Sequence, residues 1–107
     1  MIQIKPGVDW SEMDKRLVRV AEEWHAIQVS RYGEAGAVTV VTSCREGVHS
    51  PPSFHYVGRA IDFRTRDTPD SEVEEMAALL RGTIGRRYAV VIKTNPKHLH
   101  VQLTDGG

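Results

Sequence analysis

The segment His98-Leu99-His100-Val101-Gln102-Leu103 alternates polar and apolar side chains without a break. A period of two is the signature of a strand, with Leu99, Val101 and Leu103 turned into a core and His98, His100 and Gln102 projecting together from the other face. The chain must therefore build a sheet, and that sheet carries two imidazoles on one surface. Upstream, Tyr88 to Lys93 is a second run of strand formers, and Thr94-Asn95-Pro96-Lys97 between the two reads as the turn of an antiparallel hairpin. Ala60-Ile61-Asp62-Phe63-Arg64 alternates as well, Ile61 and Phe63 pointing one way and Ala60, Asp62 and Arg64 the other. The β-branched run Val38-Thr39-Val40-Val41-Thr42 predicts a buried strand.

Two segments carry the helical period instead. Leu17, Ala21, Trp24 and Gln28, flanked by Val18, Val20 and Ile27, predict an amphipathic helix from about Ser11 to Ser30, capped by Ser11 or Asp9 and stopped by Gly33 and Gly36. Packing accounts for Trp24 in this helix and exposure for His25. Val73, Met76, Ala77 and Leu80 predict a second helix that starts at Thr68-Pro69-Asp70-Ser71 and ends near Gly82 or Gly85. Arg81, Arg86 and Arg87 suit its solvated C-terminal end. The order helix, strand, loop, strand, helix, hairpin predicts an α+β fold, a small antiparallel sheet with two helices packed against it, in one domain spanning residues 1–107. A chain of 107 residues has no room for a second core.

Composition excludes several functions. Lys plus Arg and Asp plus Glu both number 14, so the balanced charge offers no electrostatic basis for binding nucleic acid or an anionic membrane. No run of about 18 apolar residues appears, and Met1 to Pro6 lacks the layout of a signal peptide. The expectation is a protein made in the cytoplasm that needs no membrane and acts as a monomer. Cys44 is the only cysteine, which excludes an intrachain disulfide and a thiolate zinc finger. It is expected to be a small buried hydrophobe. Any metal must be held by histidines and carboxylates.

Four of the five histidines fall in two places, His49 and His55 in the irregular stretch from Ser43 to Gly58, and His98 and His100 in the last strand. Should the Asp62 strand pair with that last strand, the Asp62 carboxylate reaches the histidine surface. His55 lies seven residues before Asp62, which puts the two on opposite faces of a continuous strand, so the chain must bend between them, as Gly58 allows. His55, Asp62 and one strand histidine then supply three ligands for a tetrahedral zinc with an open fourth position. His49 falls outside this pattern and is expected to be a solvated loop residue.

Ser53-Phe54-His55-Tyr56-Val57-Gly58-Arg59-Ala60-Ile61-Asp62-Phe63, an S-x-H-x-x-G-x-A-x-D-F pattern, is followed by His98-Leu99-His100-Val101. Together they resemble the zinc peptidases that include D-alanyl-D-alanine carboxypeptidases, lysostaphin-type endopeptidases and phage L-alanyl-D-glutamate endolysins, whose scaffold the hedgehog signalling domain shares. The resemblance spans roughly Val38 to Leu103, and the H-x6-D spacing carries more of it than H-x-H. It implies one zinc ion held by His55, Asp62 and His100, with a metal-activated water cutting a peptide bond of bacterial peptidoglycan. It also implies that Arg45, after Thr42-Ser43-Cys44, orients the substrate and that Ser53 lies near the metal. The carboxypeptidase and endolysin branch places a general-base glutamate three residues before the final histidine, where this chain has Lys97. A charged ammonium accepts no proton. His98 is the candidate in its stead, since the lysostaphin and penicillin-insensitive endopeptidase branches carry a histidine there. A phage lysis or virion protein suits this set of features, as does a bacterial one. The alternative implied by Lys97 is a non-catalytic zinc-binding structural or binding module on the same scaffold.

Overall fold

A computed structural model describes residues 2–6, 14–45, 60–94 and 96–104, the backbone alone for 43–45. Five strands and two helices follow in the order β1 (Ile2–Ile4), α1 (Lys15–Tyr32), β2 (Thr39–Arg45), β3 (Ala60–Arg64), α2 (Asp70–Ile84), β4 (Tyr88–Thr94) and β5 (Lys97–Leu103). They form an α+β fold with one five-stranded sheet in the order β1-β2-β3-β5-β4. The sheet is mixed, which corrects the expectation of an all-antiparallel one: β1 runs parallel to β2, with Ile2 opposite Thr39 and Ile4 opposite Val41. Parallel neighbours need a long crossover, and α1 is that crossover. The other three pairings are antiparallel.

Helix α1 starts at Asp14, later than Ser11 or Asp9, because the Asp14 carboxylate accepts from the Arg16 backbone N–H at 2.9 Å. It ends at Gly33, whose φ of 80° suits a glycine and whose N–H donates to the Val29 carbonyl. Its buried stripe is Leu17, Val20, Ala21, Trp24 and Gln28. Helix α2 buries Val73, Met76, Ala77, Leu80 and Ile84, and Gly85, at φ 83°, closes it. Both stripes meet the apolar side of the sheet, where Val41, Ile61, Phe63, Leu99 and Val101 are buried and the Trp24 and Phe63 rings stack at 6.1 Å. His25 is half-buried rather than exposed: its Nδ1 lies 2.9 Å from Thr39 Oγ1, and burial lowers its pKa. Arg81 likewise does more than face solvent, since Nη2 donates to the Val90 carbonyl at 2.8 Å.

Candidate functional site

The register between β3 and β5 sets the geometry. Asp62 lies opposite His100, Arg64 opposite His98 and Ala60 opposite Gln102. Between them Ile61, Phe63, Leu99 and Val101 fill the core, so Asp62, Arg64, His98, His100 and Gln102 share the side turned from the helices. A register shift in β2 between Val41 and Ser43 brings Ser43 opposite Asp62. Bulges of this kind recur beside functional sites, because they re-aim one strand against another.

Asp62 and His100 are in contact. His100 Nδ1 lies 2.7 Å from Asp62 Oδ1, and Nε2 lies 2.8 Å from Gln102 Oε1. Asp62 Oδ1 and Gln102 Oε1 are both acceptors, so a protonated ring donates from both nitrogens. The hydrogen bond to Asp62 is the main cause that raises the His100 pKa above 6.5, with desolvation opposing it.

That chemistry fits a zinc ion. An imidazole nitrogen and a carboxylate oxygen are donors that zinc takes, Asp62 and His100 would hold the ion between them, and Gln102 would supply the outer hydrogen bond that ligating histidines usually make. Among the described residues no group of three or more His, Cys, Asp or Glu side chains comes together to hold a metal. Two of the three expected ligands do meet, Asp62 and His100. The third, His55, lies outside the described residues, as do His49, Ser53 and Gly58. Arg45 stands opposite Ala60 in β2, and its side chain, like that of Cys44, is outside the described part.

His98 shares the face but not the contact. Its Nδ1 lies 2.7 Å from the Pro96 carbonyl, an acceptor, so Nδ1 carries a proton and the neutral ring keeps its lone pair on Nε2. It lines a cleft of about 350 Å³ together with Asp62, Thr42, Lys5, Arg64, Arg66 and Lys97. Lys97 is engaged at the start of α2, donating to the Thr68 carbonyl at 2.8 Å and pairing with Asp70 at 2.8 Å. The cation lining of this cleft is not evident from the sequence pattern alone. Arg64 was legible on the polar face of β3, whereas Lys5 reaches the cleft only through the pairing of β1 with β2.

Comparison of the chain with family models, curated proteins and solved structures found no match. Among the described residues no helix is long and apolar enough to cross a membrane.

Proposed function

We propose that this domain is a zinc-dependent peptidase that hydrolyses a peptide bond of bacterial peptidoglycan, as a carboxypeptidase or an endopeptidase. The observation that carries the reading is the Asp62–His100 pair, opposite in register, in contact at 2.7 Å and backed by Gln102. Asp62 and His100, with His55 from the same motif, would hold the ion. A zinc ion bound there supplies Lewis acidity and lowers the pKa of water from about 15.7 toward 7.

The chain's own groups account for the rest. His98, with Nδ1 committed to the Pro96 carbonyl, presents Nε2 as the proton acceptor, and the resulting imidazolium favours negative charge developing on a peptide carbonyl oxygen. Arg45 is proposed to orient the substrate and Ser53 to lie beside the metal. A second reading, a zinc-bearing structural or binding module without catalysis, is favoured by one observation: the position of the family's glutamate holds Lys97, tied to Thr68 and Asp70.

Incubating purified peptidoglycan with the protein, with chelator and with chelator followed by zinc, and weighing the soluble muropeptides by mass spectrometry, separates the two. Fragments that vanish with chelator and return with zinc support the peptidase and identify the bond by mass difference. Intact peptides from several wall chemistries in the presence of zinc select the binding module.

A further inference from the structure

The chain as a whole is neutral, yet the described lining of the cleft beside Asp62 is cationic. Among the described residues Lys5, Arg64, Arg66 and Lys97 line it, and Asp62, already engaged with His100, is the one acid. Of the four cations, Lys97 is neutralised by Asp70, and Arg66 sits 3.8 Å from Asp67. Lys5 and Arg64 have no hydrogen-bond or ion-pair partner in their side chains among the described residues. Arg64 is half-buried, and its position is fixed by the β3 backbone, with His98 directly opposite. A guanidinium held partly out of water without a counter-charge among the described residues, with a second such cation in the same concavity, is a seat prepared for an anion.

We propose that Arg64 and Lys5, with Arg66 at the rim, bind a carboxylate of the substrate peptide. The planar fork of Arg64 matches a carboxylate through two parallel N–H···O bonds, which a lysine point charge does not reproduce. Arg64 follows Asp62 by two strand residues, about 6.6 Å along β3. A peptide whose carboxylate rests on Arg64 therefore presents to Asp62, His98 and His100 a bond one or two residues from that carboxylate. The ligand class is a short acidic peptide, bound by its charge rather than by an apolar side chain. This deepens the peptidase reading and rests on it for the ligand being a peptide, though not for its charge.

The test uses the whole chain, ¹⁵N-labelled and in chelator, titrated with N-acetyl-D-alanyl-D-alanine and separately with its C-terminal amide. The carboxylate form is expected to bind at least about tenfold more tightly than the amide and to shift the Arg64 and Arg66 resonances. R64Q is expected to remove that preference and K5Q to reduce it. R64Q breaks no described contact, so its spectrum outside the cleft serves as the check on folding. Equal affinity for acid and amide, no binding of either at millimolar concentration, or a preference that survives in R64Q overturns the proposal. Inorganic phosphate bound on the same residues more tightly than the peptide overturns the carboxylate assignment. Because zinc is absent from this titration, a carboxylate preference lost in R64Q, beside intact muropeptides in the zinc-loaded digestion, leaves the anion site standing and removes the peptidase.

Discussion

The Lys97 ammonium lies 2.8 Å from Asp70 Oδ1 and donates to the Thr68 carbonyl, so the residue before His98 ties the β4–β5 hairpin to the start of α2. The pair is open to solvent, with 32% and 85% of the side chains exposed, and such pairs contribute less than about 1 kcal/mol. Lys97→Met is expected to lower stability by no more than that in urea unfolding and, under the peptidase reading, to leave turnover within about twofold. His98→Ala is expected to keep fold and zinc and to lose about 10²- to 10⁴-fold in kcat. A Lys97→Met variant as inactive as His98→Ala would move the base role to Lys97.

Asp62→Ala removes one of the two proposed ligands in contact and leaves His100 with Gln102 alone. Metal analysis is expected to find close to one zinc per chain in the parent and none in the variant. Only 16% and 15% of the two side chains are exposed, so the lost bond to a charged group costs about 1.5–3 kcal/mol in the metal-free state, read from the urea midpoint. A metal-free, fully folded parent after growth with zinc would remove the ligand assignment.

The site was legible in the sequence as far as strand period reaches. Alternation put His98, His100 and Gln102 on one face, and the same alternation put Asp62 and Arg64 on the polar face of β3. What period cannot give is pairing: that β3 neighbours β5, with Asp62 opposite His100, follows from how the apolar faces stack under α1 and α2. Strand β1 escaped because three residues, Ile2–Ile4, are too few to show alternation and its parallel partner lies beyond a helix. The cationic cleft depends on that strand for Lys5. The start of α1 differs from the sequence expectation for a local reason, since several side chains in the same stretch can cap and the Asp14 carboxylate accepts from the Arg16 N–H.

A second contact joins the helices, where Tyr32 Oη donates to Glu72 Oε1 and Arg31 reaches Glu72 and Glu75 at 3.3 and 2.6 Å. The Tyr32 hydrogen bond is the largest cause that lowers the Glu72 pKa below 4.5. A depressed folded value means that the contribution to stability is present above the unfolded value and is lost as pH falls through the folded one. A carboxyl ¹³C titration is expected to place Glu72 below the ordinary range and to show it rising in Tyr32→Phe, though not fully, since Arg31 remains. An unchanged Glu72 in that variant would remove the hydrogen bond as the cause.

Thr65, directly after β3, is 2% exposed, and its Oγ1 has no hydrogen-bond partner among the described residues. A hydroxyl taken out of water without a partner costs about 1–3 kcal/mol, whereas its methyl is in place as ordinary core. Valine has the same shape and the same preference for extended backbone, so Thr65→Val removes the unsatisfied group and nothing else. The variant is expected to be more stable by about 1 kcal/mol, seen as a higher urea midpoint at unchanged slope. Thr65→Ser, which keeps the hydroxyl and deletes the methyl, is expected to lose about 1 kcal/mol. Should Thr65→Val instead destabilise the protein, the hydroxyl holds a partner in solution, and the turn at residues 66–68 that leads from the Asp62 strand into α2 depends on it.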